Sequence, residues 1–118
     1  MHIRPYQKLI VWKEAHELCK WIYGITSQFP VSEKYRLIDQ LCRASSSVPT
    51  NIAEGTTRRT AKDRYRFYEI ASTSLEEVHY ELLLSRDLGY ISDSVFSEAD
   101  DKVKRTSYLI RKLQESLK

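Results

Sequence analysis

The sequence predicts an all-α protein, a single domain over residues 1–118 folded as an antiparallel up-down-up-down four-helix bundle. Four segments place apolar residues at alternating three- and four-residue steps, the spacing that aligns them on one face of an α-helix. The chain contains only three glycines and three prolines, which argues against a strand-rich or disordered chain. The links between the four segments are short, so helices that follow each other in sequence are expected to run antiparallel.

Helix 1 is expected over residues 7–28. Its main apolar row consists of Trp12, Ala15, Cys19, Ile22, Thr26 and Phe29. A second row beside it, formed by Val11, Leu18 and Ile25, widens the apolar arc to about 200°. Ile10 and Trp21 lie outside even this arc. We therefore predict that these two residues contact another copy of the chain in a homo-oligomer.

Helix 2 is predicted to begin after Ser32, a suitable N-cap, and to end at Glu54. Its apolar row consists of Ile38, Leu41, Ser45, Val48 and Ile52. Pro49 has no N–H and crowds the preceding turn, which costs about 3 kcal/mol inside a helix. A kink or a helix restart is expected there. Gly55 is expected to adopt the left-handed conformation that commonly ends a helix.

The polar residues around Pro49 have a structural and a functional interpretation. Asn51 can donate a hydrogen bond to the Ser45 carbonyl that Pro49 leaves without a partner, and Glu54 can pair with Arg43 or with a basic group on another helix. Alternatively, Asn51 and Glu54 contact a binding partner. We favour the structural interpretation because both residues lie within or beside the predicted kink.

Helices 3 and 4 follow with clear start and stop signals. Thr60 and Asp63 resemble a capping box at the start of helix 3, and Gly89 is expected to end it. The apolar row of helix 3 is Tyr68, Ala71, Leu75, Val78, Leu82 and Ser85. Ser92 can cap helix 4. The apolar row of helix 4 is Phe96, Ala99, Val103, Thr106, Ile110, Leu113 and Leu117.

The net charge of +3 is unevenly distributed along the chain. Residues 56–66 contain five basic side chains and one carboxylate, residues 69–101 contain nine carboxylates and one arginine, and residues 102–118 are basic again. Such blocks can pair within one bundle or between subunits.

Localisation is predicted from what the chain does not contain. No stretch reaches the apolar length of a signal-peptide core or of a membrane span, which needs about 20 residues. We therefore expect a cytoplasmic protein without a membrane partner. Cys19 and Cys42 lack metal-ligand spacing and are expected to be reduced, buried thiols.

The sequence contains no recognisable catalytic or cofactor-binding arrangement. Glu76 and His79 form one Glu-x-x-His motif, but di-iron bundles use two copies and the sequence has no second one. We interpret His79 as a polar residue at the rim of helix 3, and Glu76, Glu77 and Glu81 as its solvated or subunit-facing flank. Neither cysteine has a base nearby, and no glycine-rich phosphate loop is present. We predict a protein that is not an enzyme and binds no metal or cofactor.

A basic segment at the start of helix 3 is the candidate binding site. Its side chains are Arg58, Arg59, Lys62, Arg64 and Arg66, interleaved with Tyr65 and Phe67. At a helix N-terminus these groups can bind phosphates of RNA or DNA. Alternatively, they are solvated or pair with the acidic blocks of helices 3 and 4. The residues alone favour this second interpretation.

The stretch from Gln40 to Gly55 resembles the motif of the 23S rRNA intervening-sequence proteins. The matching residues are Gln40, Leu41, Arg43, Ala44, Ser47, Asn51, Ile52, Ala53, Glu54 and Gly55, supported by Leu9, Val11, Trp12, Phe29, Pro30, Ala71, Ser74 and Leu75. Val48 and Pro49 depart from the expected pattern, although the likeness spans nearly the whole chain. The resemblance implies a four-helix bundle that assembles as a homopentamer, with nucleic acid or a nucleic-acid enzyme as partner, and it brings no catalytic residues.

These observations lead to two hypotheses of different classes. In the first, the self-assembling bundle is an RNA- or DNA-binding module. In the second, it is a protein-protein scaffold or an accessory subunit of a nucleic-acid enzyme such as a reverse transcriptase, and it does not bind nucleic acid itself. The resemblance brings the two interpretations of the basic segment into balance.

Overall fold

The computed structural model describes residues 2–118, in which four α-helices account for most of the chain. The helices are α1 (Ile10–Thr26), α2 (Leu37–Thr56), α3 (Ala61–Asp87) and α4 (Asp93–Glu115), and short 3-10 helices at Pro5–Lys8 and Val31–Glu33 precede α1 and α2. These residues contain no strand, and the predicted all-α four-helix fold is confirmed. None of the described helices is both long and apolar enough to cross a membrane.

One hydrophobic core lies between the four helices. The predicted row of α3 is buried along its whole length. The buried residues of the predicted α2 and α4 rows are Leu41, Ser45, Val48, Ile52, Ala99, Val103, Thr106 and Ile110. In α1, however, Val11 and Leu18 are buried whereas Trp12 and Cys19 are only half-buried. The predicted main row of α1 is therefore wrong in part, because α1 is rotated so that its second row also faces the core.

In each pair of neighbouring helices, residues near the end of one helix contact residues near the start of the other. Near the end of α2, Thr56 Oγ1 lies 3.1 Å from the hydroxyl of Tyr68, early in α3, whereas the earlier Ser47 Oγ lies 2.9 Å from Ser74 Oγ. Contacts between α3 and α4 and between α4 and α1 follow the same order. Each helix packs against the next, and α4 packs against α1. The α2–α3 link therefore lies at the same end of the bundle as the N-terminal turn and the end of α4.

Helix 1 is shorter than predicted, because it spans residues 10–26 and not 7–28. Leu9 is extended, with φ −74° and ψ 130°, and separates the 3-10 turn at Pro5–Lys8 from α1. At the other end, the N–H of Phe29 bonds to the carbonyl of Thr26 in a tight turn that follows the helix.

The predicted N-cap of helix 2 is wrong. Ser32 lies inside the 3-10 helix Val31–Glu33, and α2 begins only at Leu37, after Arg36 leaves the helical conformation. The hydroxyl of Tyr90 donates a 2.7 Å hydrogen bond to the Glu33 carboxylate. This bond holds the 3-10 turn against the α3–α4 link, so the turn forms a separate element.

The start signals of α3 and α4 are confirmed. Thr60 Oγ1 accepts a hydrogen bond from the N–H of Asp63, and Ser92 Oγ accepts one from the N–H of Val95, each at 3.1 Å. Gly89 follows the end of α3 with φ +81°, as predicted for a helix-ending glycine.

Helix α2 runs unbroken through Pro49 and ends at Thr56, so a restart at Pro49 and an end at Glu54 are both wrong. The kink at Pro49 stays a prediction. The amide of Asn51 donates to the carbonyl of Ser47 at 2.8 Å and to its hydroxyl at 3.0 Å, and not to the carbonyl of Ser45. The Asn51 side chain bonds to Ser47 because Ser47 lies four residues earlier, one helical turn toward the N-terminus.

Gly55 has a different role from the one predicted. It lies inside α2 without a positive φ, so it is not the left-handed residue that ends the helix. A β-carbon built on Gly55 would lie 2.6 Å from Cε1 of Tyr68 and 3.0 Å from Cβ of Phe67. The absence of a side chain allows α3 to pack closely against the last turn of α2.

The predicted ion pair between Arg43 and Glu54 does not form. The two residues are three turns apart on one helix, about 16 Å along its axis. Arg43 instead lies 3.6 Å from the carboxylate of Asp39, and both side chains are largely exposed. Within residues 2–118, Glu54 makes no ion pair with a group on another helix either.

Candidate nucleic-acid interface

The basic segment forms the link between α2 and α3 and the first turns of α3. Thr60 caps the helix, so Arg58 and Arg59 precede α3, whereas Lys62, Arg64 and Arg66 project from its start. Arg58, Arg59, Lys62 and Arg66 are exposed, and Arg64 is half-buried. The N-terminus of α3 adds the partial positive charge of its free N–H groups to the same region.

Contacts within the segment hold part of it in place. Nε of Arg64 donates a 2.7 Å hydrogen bond to the carbonyl of Arg58. The guanidinium groups of Arg58 and Arg66 lie 4.5 Å and 5.3 Å from the centre of the Phe67 ring, within the range of cation–π contacts. Phe67 therefore orders two arginines while it leaves their N–H donors free for a ligand.

The five basic side chains form no ion pair with a carboxylate of the described chain. Three of the nine carboxylates in residues 69–101 pair with basic groups outside the segment. Asp100 lies 3.1 Å from Nε2 of His79 and 2.9 Å from Nζ of Lys104, and the hydrogen bond from Lys104 lowers the pKa of Asp100. Asp87 and Asp93 both lie near Arg86. Pairing of the acidic blocks with the basic segment within one chain is therefore wrong, whereas pairing between subunits and a solvated segment remain the alternatives to a binding site.

Two further basic residues, distant in sequence, lie at the same end of the bundle. Nζ of Lys118 is 5.8 Å from the centre of the Tyr65 ring. Arg4 lines a cleft with Thr56 and Thr57, the residues that lead into the basic segment. We call this surface the basic end, defined by Arg4, Arg58, Arg59, Lys62, Arg64, Arg66 and Lys118. Sequence inspection missed Arg4 and Lys118, because only the fold brings the two chain ends to the segment.

Tyr65, within the basic segment, and Tyr68, just after it, occupy different environments. Tyr68 is buried and belongs to the core, as predicted, and its hydroxyl lies 3.1 Å from Thr56 Oγ1. Tyr65 is half-buried, so part of its ring faces solvent beside Lys118. Tyr65 is therefore the tyrosine available for stacking against a base.

The two residues predicted to contact another copy of the chain differ in exposure. Ile10 is 62% exposed, whereas Trp21 is half-buried against the core and has Nζ of Lys102 5.6 Å from its ring. The residues are three turns apart and nearly aligned on α1, at about 100° per residue. Ile10 is thus free for a subunit contact, and Trp21 already makes part of its contacts with α4.

A polar groove lies between α2 and α3. Its volume is about 520 Å³, and its lining residues are Gln40, Arg43, Ala44, Ser47, Ser74, Glu77 and Glu81. Glu81 is only 9% exposed, and its Oε1 atom has no hydrogen-bond partner in residues 2–118. The interpretation of Glu81 as a solvated flank is therefore wrong.

A sequence signal for the burial of Glu81 does exist. Ser74, Val78, Glu81 and Ser85 follow each other at steps of four, three and four residues, which makes a row on α3 that shares Val78 and Ser85 with the predicted one. All four residues are buried. Burial and the neighbouring carboxylate of Glu77 raise the pKa of Glu81 to about 7.

Cys19 and Cys42 are unpaired, half-buried thiols. Ser45 Oγ lies 3.7 Å from Cys19 Sγ, and Thr26 Oγ1 lies 3.8 Å from Cys42 Sγ. Burial raises the pKa of the Cys42 thiol, which disfavours the reactive thiolate. In the described residues, no group of three or more His, Cys, Asp or Glu side chains could hold a metal ion.

Comparison with known proteins places the chain in a family. It matches the family described as 23S rRNA-intervening sequence protein over residues 7–112. The chain belongs to this family. Its structure is similar to the crystal structure of a protein with unknown function from the S23 ribosomal protein family of Bacteroides thetaiotaomicron. The two structures align with a TM-score of 0.78 at 20% identity, over 89% of this chain and 98% of that chain. At this identity the likeness concerns the fold alone, and no curated protein matches the chain.

In this member of the 23S rRNA-intervening sequence protein family, the motif residues shape the contact between α2 and α3. Gln40, Arg43 and Ser47 line the polar groove. Asn51 bonds to Ser47, and Gly55 makes room for α3. The stretch that carries the resemblance thus runs along α2, and its Gly55 end lies beside the basic end and supports the helix pair from which the basic segment projects.

Proposed function

We propose that this protein is a non-catalytic, self-assembling bundle that binds RNA or DNA through the basic end. The observation that carries the proposal is that the five side chains of the basic segment stand at one end of the bundle without an ion pair in the described chain. Arg4 and Lys118 extend the same surface. Such a surface attracts the phosphate backbone.

The mode of binding follows from the chemistry of these groups. Arginine and lysine contacts to phosphates position a nucleic acid but do not read its bases. No helix of the basic end is presented as a separate groove-reading element, so we expect little dependence on base sequence. Partial exposure of Tyr65 favours single strands modestly, because an exposed aromatic ring can stack on a base.

Self-assembly increases the affinity of a weak phosphate site. Copies of the basic end in one oligomer would act together on one long strand, because the second contact is intramolecular once the first has formed. We propose a homo-oligomer, with the pentamer implied by family resemblance as its form. The family name refers to sequences that intervene in 23S rRNA, which makes structured RNA the first probe.

A second candidate function is a protein-protein scaffold or an accessory subunit of a nucleic-acid enzyme, such as a reverse transcriptase. The observation in its favour is an apolar surface at the end opposite the basic end, where Val31 is 86% exposed and Tyr35 is 83% exposed. Exposed apolar patches commonly mark protein contacts. In this case the side chains of the basic end would contact the partner protein or remain solvated.

The experiment is an anisotropy titration of labelled RNA and DNA at low and moderate salt, with the oligomeric state checked in each sample. It compares the wild type with the triple variant Arg58→Glu, Arg59→Glu, Lys62→Glu. The control is Lys20→Glu, Lys34→Glu, Arg36→Glu, which changes the net charge equally on exposed positions away from the basic end. We expect the first variant to lose binding and the control to retain most of it.

Two results would count against the proposal. Equal affinities of the two triple variants, with the oligomer intact, would remove the basic segment from the binding site. The absence of binding by the wild type to RNA and to DNA at low salt would favour the scaffold function instead.

A further inference from the structure

The polar groove between α2 and α3 contains a buried acid without a partner. Glu81 lines the groove and is nine-tenths buried. Its Oε1 atom is buried and has no hydrogen-bond partner in residues 2–118. A buried carboxylate is unfavourable unless a positive charge or hydrogen-bond donors compensate for the lost water. The lining of the groove therefore provides no hydrogen-bond donor to this oxygen of Glu81.

The charge of the groove defines which ligand can supply that donor. Glu77 lies on the same wall as Glu81. Arg43 stands at the groove, but its guanidinium is directed to Asp39, 3.6 Å away, and its side chain is 80% exposed. With Arg43 drawn to Asp39, Glu77 and the ionised form of Glu81 make the groove negative above about pH 7. The neutral polar groups of its lining are the hydroxyls of Ser47 and Ser74 and the amide of Gln40. A cation fits this arrangement, whereas an anion does not.

Three kinds of cation can be compared as ligands of the groove, namely a metal ion, an ammonium group and a guanidinium group. The described chain offers no cluster of three His, Cys, Asp or Glu side chains for a metal ion. An ammonium group is strongly hydrated, whereas a guanidinium is weakly hydrated and presents a planar set of donors that match a carboxylate. The volume of about 520 Å³ lies within the range of small-ligand sites, about 300–1,000 Å³.

We propose that the α2–α3 groove binds an alkyl guanidinium group, with Glu81 and Glu77 as its carboxylate acceptors. The group comes either from a free small molecule or from an arginine side chain of a protein partner. The site is separate from the basic end, so guanidinium binding there does not depend on nucleic-acid binding. The charged groups near Glu81 are Glu77 on the same helix and the Arg43–Asp39 pair on α2. Because Glu81 ionises with a pKa of about 7, the affinity for the guanidinium group increases between about pH 6 and about pH 8.

The test is an NMR titration of the isotope-labelled full chain with butylguanidinium and with butylurea, its neutral isostere. We expect saturable shifts of Ala44, Ser47 and Ser74 with butylguanidinium only. Glu81→Gln should weaken binding about tenfold or more, because a charge-assisted hydrogen bond is lost. Glu76→Gln, at an exposed position on the same helix, is the matched control and should leave the affinity unchanged.

Parallel titrations with agmatine and with N-acetylarginine amide distinguish the two sources. Tighter binding of agmatine indicates a free small molecule, and tighter binding of the blocked arginine indicates a protein side chain. The proposal is overturned if butylguanidinium causes no saturable shifts, if butylurea binds equally well, or if Glu81→Gln, shown to be folded by circular dichroism, binds like the wild type.

Discussion

Tyr68 packs so closely on Gly55 that a β-carbon at position 55 would lie 2.6 Å from its Cε1 atom. The Tyr68 side chain is only 3% exposed, and its hydroxyl lies 3.1 Å from Thr56 Oγ1, so the ring has little freedom to move away. This contact joins the last turn of α2 to the first turns of α3. It therefore holds the helix pair that carries the basic segment.

Substitution of Gly55 should reduce stability through overpacking. Gly55→Ala is expected to lower the free energy of unfolding by about 1–3 kcal/mol, because the added methyl group forces the Tyr68 ring or the α3 backbone to shift. Urea denaturation followed by circular dichroism measures the change.

Gly24→Ala is the matched control, because Gly24 also lies within a helix but an added β-carbon there meets nothing within 4 Å. This variant should be stabilised by about 0.5–1 kcal/mol. If Gly55→Ala were as stable as Gly24→Ala, the close contact with Tyr68 would not exist in solution.

The buried carboxyl of Glu81 should make stability depend on pH. Its pKa is raised from 4.5 to about 7, so the folded state holds this proton more tightly than the unfolded state. At low pH both states are protonated and burial carries no charge penalty. As the pH rises from about 4.5 to about 7, the unfolded state loses this proton while folded Glu81 keeps it, so stability falls, and the loss levels off above about pH 7.

Glu81→Gln removes this ionisation. The variant should be more stable than the wild type at about pH 8, by on the order of 1–3 kcal/mol, and close to it at about pH 4, below the unfolded pKa of Glu81. Thermal unfolding at both pH values measures the difference, with Glu76→Gln as the control. A stability difference between Glu81→Gln and the wild type that did not change with pH would show that Glu81 titrates normally.

The proposed subunit contact on α1 is best tested at Ile10. Ile10→Glu places a charge on a side chain that is 62% exposed, so it should dissociate the oligomer without unfolding the subunit, because burial of a lone carboxylate in an apolar interface is unfavourable. Trp21→Glu should also dissociate it. That variant should in addition lose stability, since Trp21 packs on the core of its own subunit.

Light scattering and thermal unfolding of the same samples separate the two effects. Val31→Glu, at an exposed position at the other end of the bundle, serves as the control and should keep the oligomer. A wild-type protein that is monomeric at micromolar concentration would refute self-assembly through this face.

Local patterns were sufficient to predict the fold. The α3 row from Tyr68 to Ser85 is buried as its spacing indicates, and the Thr60 and Ser92 caps lie where predicted. These features depend on residues within a few turns of each other. In contrast, the role of Gly55 depends on the approach of Tyr68 from another helix, and helix-ending and close-packing glycines look alike in a sequence.

The candidate site was only partly predictable for the same reason. The density of arginine and lysine in residues 58–66 indicated the segment. The helix packing is needed to deduce that the segment makes no ion pair with the acidic blocks and that Arg4 and Lys118 lie beside it. Likewise, the charge of Glu81 suggested exposure, although its row on α3 indicated burial, and the packing decided between them.

The salt dependence of binding measures how many phosphates the basic end contacts. The logarithm of the affinity for duplex nucleic acid should fall with the logarithm of salt concentration at a slope of about −0.9 per phosphate neutralised. The neutral variant Arg58→Gln, Arg59→Gln, Lys62→Gln should therefore bind more weakly, with a slope shallower by about 2.7 if each side chain contacts one phosphate of the duplex. An unchanged slope, with the oligomer intact, would contradict phosphate binding by the basic end.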